Sequence, residues 1–207
     1  MSQYFEIHPE TPQPRLVKRT VEHLCRGDVI VYPTDSTYAL GCRMGEKEAI
    51  DRIREIRRLE DHHNFTLACR DLSDIGTYAR VSNSDFRLLK AYTPGPYTFI
   101  LPATREVPRR LQHPKRKSIG IRVPANPVAQ AVLAELGEPM MTSSLLLPGE
   151  DLPMTDPELI REAIGARVDA VVAGGPGGLE PTTVVDLTGD APAVIRRGAG
   201  DADAFEP

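Results

Sequence analysis

Directly after the β-branched run Val29-Ile30-Val31, and past Tyr32 and Pro33, five residues that can hydrogen-bond through a side-chain oxygen follow one another: Thr34, Asp35, Ser36, Thr37 and Tyr38. Hydroxyls and free backbone N–H groups at the end of a strand can hold a carboxylate or a phosphate, because that end of an open α/β sheet is a natural crevice. The same composition also suits a plain polar turn. A second chemical signal is Arg122, set in the apolar run Ser118-Ile119-Gly120-Ile121-Arg122-Val123. A guanidinium there needs a partner, either an anionic ligand or a structural carboxylate. A third is the stretch from Arg105 to Lys117, with six basic residues (Arg105, Arg109, Arg110, Lys115, Arg116, Lys117) against Glu106 alone. That local charge can meet phosphates or form a solvated loop.

These residues need elements to position them. Apolar spacing predicts helices over Arg15–Arg26 and Lys47–Leu59. Asp71, Ser82, Asn126-Pro127 and Asp156-Pro157 are capping signals for four more, ending near Ala79, Tyr92, Leu136 and Gly165. Short apolar runs predict strands at 29–32, 65–69, 97–102, 118–123, 139–144, 168–173, 182–187 and 193–196, with 33–42 read as turn. No linker divides these elements, so the expectation is a single-domain α/β fold, a twisted mixed sheet flanked by helices over residues 15–200. Residues 1–14, with three prolines, are read as an extended N-terminal arm and 201–207 as a C-terminal tail.

Composition narrows the function classes. The chain has 207 residues, 41% of them hydrophobic, and a formal charge of −4, which argues against indiscriminate nucleic-acid binding. There is no apolar run of membrane-spanning length and no basic-then-apolar leader, so no membrane partner and a cytoplasmic location are expected. Cys25, Cys42 and Cys69 are widely spaced, which suggests neither a disulfide framework nor a zinc site. No metal site is read; His62 and His63 are taken as exposed turn residues. The glycine run 174–178 lacks the lysine of a P-loop and is read as a turn near the ligand. A monomer and a homodimer are both compatible with this composition.

Six stretches in order, Tyr32–Gly41, Thr93–Phe99, Ser118–Pro124, Gly137–Pro139, Thr142–Ser144 and Pro181–Asp186, resemble the YrdC/YciO family of threonylcarbamoyl-adenylate synthases, in detail the YciO branch. The resemblance implies a large, positively lined concave cleft and a reaction joining L-threonine, bicarbonate and ATP, with Mg²⁺, into threonylcarbamoyl-AMP and pyrophosphate. That product serves the modification of adenosine 37 in tRNA. An alternative implied by the same family is a double-stranded RNA or tRNA binder that keeps the cleft without the chemistry.

By the same resemblance, Thr34 and Tyr38 match positions that hold threonine, and Ser118 and Arg122 match positions at the nucleotide and carboxylate. Thr182 and Arg196 match residues that close over the nucleotide, and Arg57 and Ser144 match catalytic positions. RNA contacts are expected from Arg109, Arg110, Lys115, Arg116 and Lys117. Two positions depart from the family pattern: a Lys-x-Arg element is here Arg57-Arg58-Leu59, and the asparagine of Ser-x-Asn is Leu146. Arg58 and His63 are candidates to compensate. On this reading Arg122→Ala loses nucleotide affinity while the fold stays intact.

Overall fold

A computed structural model of the chain describes residues 2–59, 63 and 65–205. Its strands are β1 (Gln3–Glu6), β2 (Ile30–Tyr32), β3 (Ala39–Arg43), β4 (Thr66–Ala68), β5 (Tyr97–Pro102), β6 (Ser118–Arg122), β7 (Met140–Ser144), β8 (Ala170–Ala173), β9 (Thr183–Asp186) and β10 (Ala193–Arg196). The helices are α1 (Pro14–Cys25), α2 (Lys47–Arg57), α3 (Leu72–Tyr78), α4 (Asn83–Tyr92), α5 (Pro127–Leu136) and α6 (Pro157–Ile164). The strands form one mixed sheet in the order β1-β8-β2-β3-β7-β4-β6-β5-β9-β10. Among the described residues no helix is long and apolar enough to cross a membrane.

The helix ends follow local chemistry. Asp71 and Asp156 accept from two backbone N–H groups each, and Ser82 and Asp85 close a capping box. Asn126 caps α5, Pro127 fits its first turn, and Gly137 ends it at φ +73°. Helix α2 stops at Arg57, short of the expected Leu59, because Arg58 turns left-handed at φ +49°.

Strand alternation gives the sheet two unlike faces. On one, Val31, Leu40, Leu67, Phe99, Ile121, Met141 and Val171 share a core with α2, α3, α4 and α6 through Ile53, Ile75, Leu89 and Ile160. On the other, Phe5, Ile30, Tyr32, Ala68, Met140 and Val172 pack beneath Val21 and Leu24 of α1 and Val128 and Val132 of α5. That second core reaches no further than β7 and β4. Past it the same face carries Thr98 and Ile100 of β5, Gly120 and Arg122 of β6 and Val184 of β9, and these line a cleft.

Three sequence readings are corrected. Strand β3 lies within the stretch read as turn; it pairs antiparallel with β2, Tyr32 opposite Ala39, so residues 33–38 are a hairpin loop. The arm of residues 1–14 is part of the fold: β1 pairs parallel with β8, Gln3 opposite Ala170, and α1 already begins at Pro14. Of the tail, residues 201–205 are anchored by Phe205, whose buried ring lies 4.7 Å from that of Tyr92. Its acidic surroundings hide that single aromatic anchor.

Candidate active site

The cleft is about 220 Å³ in volume and opens to solvent between the uncovered strands and two loop ends. Of the residues expected to do chemistry, the structure brings Arg57, Arg122, Ser144, Thr182 and Arg196 to its lining. Arg57 closes α2, Arg122 closes β6, Ser144 closes β7 and Arg196 closes β10. Strands β6 and β10 run the same way and end on one side, whereas β7 runs the opposite way and ends on the other. There Arg57 donates to the Leu146 carbonyl just past β7, so the guanidinium groups line the cleft from two sides.

They are not equivalent. Arg122 is 3% exposed and donates to Asp35 at 2.5 Å, while the other Asp35 oxygen accepts from the Ala125 N–H at 3.0 Å. Arg57 donates to the Leu146 carbonyl, and its Nε is buried without a partner. Arg196 donates to the Thr182 carbonyl at 2.9 Å and 3.2 Å. No carboxylate among the described residues pairs with Arg57 or Arg196. Burial pulls the Arg57 guanidinium below its ordinary value, and the nearby Arg196 charge adds to this. Burial does the same to Arg196. Both remain cations at any physiological pH. Leu146 thus supplies a backbone acceptor where the family pattern has a side-chain amide. Leu59 packs against the apolar core, and Arg58 is exposed and does not line the cleft. His63 does line it, with its ring edge-on to Phe65, which corrects its reading as an exposed turn residue. His62 lies outside the described residues.

Thr34, Tyr38 and Ser118 are not among the residues lining the cleft. The Thr34 hydroxyl donates to the Thr37 carbonyl at 2.6 Å and accepts from the Ser36 N–H at 3.2 Å, so it closes the hairpin loop on itself. Ser118 is buried on the cleft face of β6, two residues from Gly120, and its hydroxyl has no partner. Tyr38 donates to the Gly175 carbonyl at 2.6 Å and accepts from the Gly174 N–H at 3.2 Å. Burial pushes its phenol up to about 12. The glycine run read as a turn therefore rests on the hairpin loop. A Cβ on Gly178 would stand 2.3 Å from the Ser36 carbonyl oxygen, so only glycine fits there. Tyr38→Phe should cost about 1–3 kcal/mol, because the buried Gly174 N–H and the Gly175 carbonyl both lose their partner. Urea denaturation, with the midpoint compared at unchanged slope, measures it.

The basic loop does not present one surface. Arg109 and Lys117 share a hollow with Arg80 and Arg105, Arg110 donates to the Gly45 carbonyl at 2.9 Å, and Arg116 pairs with Asp186 at 3.3 Å. Lys115 is exposed and lines neither place.

Sequence reasoning missed the cleft floor: Thr66, Thr98, Gly120 and Thr142. The available signal was a hydroxyl or glycine at alternate positions of otherwise apolar strands. Thr98 and Thr182 hydrogen-bond at 2.8 Å, and Thr142 bonds the Tyr32 hydroxyl at 2.7 Å. Gly120 is there because a Cβ would lie 2.6 Å from the Thr66 hydroxyl and 3.1 Å from the Phe65 carbonyl oxygen. Gly120→Ala should destabilise by about 1–3 kcal/mol through overpacking. The double variant with Thr66→Ala should recover part of that loss in the same denaturation experiment.

The Sua5_yciO_yrdC family model, described as telomere recombination, matches residues 22–198. Protein YciO of Escherichia coli strain K12 is 57% identical over 205 residues, 99% of this chain and 100% of that one. Its crystal structure gives a TM-score of 0.96 at 56% identity, over 99% of this chain and 100% of that one. A threonylcarbamoyl-AMP synthase of Xanthomonas campestris pv. campestris strain B100 is 31% identical over 182 residues, 86% of this chain and 95% of that one. The P. abyssi Sua5 structure complexed with L-threonine shares the fold at a TM-score of 0.90 and 21% identity, over 99% of this chain and 60% of that one. A family model over most of the sequence and a relative matching it over 99% of its length lead to one conclusion: the chain belongs to the Sua5/YciO/YrdC family.

Proposed function

We propose that the cleft binds L-threonine, bicarbonate and MgATP and joins them into threonylcarbamoyl-AMP, releasing pyrophosphate. The observation that carries this reading is the pair Arg57 and Arg196, two guanidinium groups of one cleft with no carboxylate partner among the described residues. Cations partly withdrawn from water without a counter-ion are less favourable alone and gain once an oxyanion arrives. A relative 31% identical that bears the name threonylcarbamoyl-AMP synthase supports the choice of anion, as does the L-threonine complex of P. abyssi Sua5.

In this mechanism the threonine nitrogen attacks the carbon of carbon dioxide, formed from bicarbonate by loss of hydroxide. The nitrogen loses a proton that leaves with that hydroxide as water, giving a carbamate. A carbamate oxygen then attacks the α-phosphorus, and the bond to the β-phosphate breaks with pyrophosphate as leaving group. Mg²⁺ arrives on the triphosphate as part of the substrate. The arginines neutralise charge that develops on phosphate oxygens, and the hydroxyls of Ser144, Thr182 and Thr98 orient the acyl and nucleotide ends. At about 220 Å³ the cleft is below the roughly 300–1,000 Å³ of sites that enclose a drug-sized ligand, so ATP held here projects past the rim. Threonylcarbamoyl-AMP is consumed on adenosine 37 of tRNA.

Mass spectrometry of products after incubation with ATP, ¹³C-bicarbonate and L-threonine tests the proposal. A labelled threonylcarbamoyl-AMP peak that requires all three substrates is the expected result. No peak above a no-enzyme control removes the synthase reading, and RNA binding that is lost in Arg57→Met would replace it by an RNA binder using the same cleft.

A further inference from the structure

The sheet ends in two edges, and they differ. At β10 the register with β9 shifts between Val194 and Arg196, an irregularity of the kind that guards an edge against further pairing. At β1 the register with β8 is unbroken from Gln3 to Glu6. The N–H groups of Gln3 and Ile7 donate to the carbonyls of Asp169 and Ala173. Strand alternation therefore turns the N–H and carbonyl groups of Tyr4 and Glu6 away from β8, on the side where no strand follows.

Beside this edge lies a hollow of about 780 Å³. Ser2, Tyr4 and Glu6 line it as alternate residues of one extended stretch, and Glu158, Arg161 and Glu162 line it from one face of α6. Arg161 is engaged, its guanidinium 5.2 Å from the centre of the Tyr4 ring. None of the three carboxylates forms an ion pair with a described cation. Their charge reaches into the hollow: after burial, Glu158 and Glu6 are the main causes that hold the Tyr4 phenol above its ordinary value. Ser2 is 5% exposed, and its hydroxyl is buried without a partner among the described residues.

One kind of occupant meets all three features. An extended chain offers backbone groups to Tyr4 and Glu6 and a polar neighbour to Ser2. Its alternate side chains fall on the α6 face, where cations meet Glu6, Glu158 and Glu162. The remaining side chains fall on the α1 face. There Arg19 lies 5.0 Å from the centre of the Phe5 ring and donates to Gln3 at 3.0 Å, so uncharged residues suit that side. A second copy of this chain fits poorly, because two-fold pairing of β1 with itself sets the three acids against the same three.

We propose that the β1 edge takes an extended basic segment of a partner protein as a further strand, with lysine or arginine at every second position. This surface lies at the opposite end of the sheet from β10, and the proposal does not depend on the synthase reading.

Fluorescence anisotropy of a fluorescein-labelled hexapeptide alternating lysine and threonine, added to the full chain at low salt, tests it. A block peptide of the same composition, three lysines followed by three threonines, should bind at least about tenfold more weakly, because it cannot place its cations on one face. Glu6→Pro removes an outward N–H and a carboxylate but leaves the inward bonds of Gln3 and Ile7, and should also cost about tenfold or more. Glu158→Gln/Glu162→Gln should cost about fivefold. In the parent, hydrogen exchange at the Tyr4 and Glu6 amides should slow when the alternating peptide binds. No binding, equal binding of the two peptides, or full binding by Glu6→Pro overturns the proposal. So does equal competition by spermidine, which supplies charge without a backbone. A mass that doubles with concentration, with exchange at Tyr4 slowed in the absence of peptide, gives the edge to a second copy instead. Should Glu6→Pro melt early, N-methylated peptides decide: methylation of one alternate set, the lysines or the threonines, should abolish binding and the other set should tolerate it. Equal tolerance of both sets overturns strand addition.

Discussion

Arg122→Ala is expected to destabilise the fold by about 3–5 kcal/mol, the usual consequence of stranding one member of a buried ion pair. The side chains of Arg122 and Asp35 are 4% and 11% exposed, and Asp35 also holds the Ala125 N–H. Removal of the guanidinium leaves a carboxylate in the interior with one backbone donor. This corrects the sequence-based expectation of an intact fold with lost nucleotide affinity. The arginine in the apolar strand does have the partner its burial demands, and that partner comes from the hairpin loop. Guanidinium denaturation at constant ionic strength would read the loss. Asp35→Asn/Arg122→Met should recover most of it, because a neutral pair of similar volume carries no stranded charge. A melting temperature unchanged in Arg122→Ala would show that the pair contributes nothing to the fold.

The sequence carried most of the architecture because its capping and apolar signals are local. Asn126-Pro127 and Asp156-Pro157 mark helix starts within a few residues. The apolar runs of β5 and β6 are long enough to stand out against their turns. Strand β3 was illegible because Ala39-Leu40-Gly41-Cys42 has only one large apolar residue, and it becomes a strand through pairing with β2 and β7. Strand β1 was hidden because its four residues sit beside three prolines and gain their order from β8.

Within the site, residue types pointed to the right elements, yet partners were beyond reach. Nothing local says that Asp35 meets Arg122 across 87 positions, or that Tyr38 serves the glycine loop 137 residues away. Those distances are set by which strands neighbour each other in the sheet. The division of the basic loop has the same origin. Successive residues of a tight turn face different ways, and only the position of the α3 exit places Arg80 beside Arg109 and Lys117.

Arg57 and Arg196 should separate stability from function in the opposite sense to Arg122. Each is partly withdrawn from water without a carboxylate, which lowers both, and the Arg196 charge further weakens Arg57's hold on its proton. Replacing Arg57 by methionine removes one of two repelling cations and keeps its apolar stem. It also frees the carbonyl of the half-buried Leu146, beside the cleft-lining Arg57, where water can take the guanidinium's place. Stability should therefore stay within about 1 kcal/mol of the parent, or rise. Formation of threonylcarbamoyl-AMP should fall about 10²-fold, the scale for one electrostatic contact to a developing oxyanion. Arg196→Met should behave alike, with a larger share in KM for ATP because it stands at the rim. The double variant distinguishes two cations acting on one anion from two acting apart, since a shared phosphate makes the losses non-additive. If both single variants unfold early and turn over normally, the guanidinium groups belong to the scaffold, and the cleft has lost the argument for an anion.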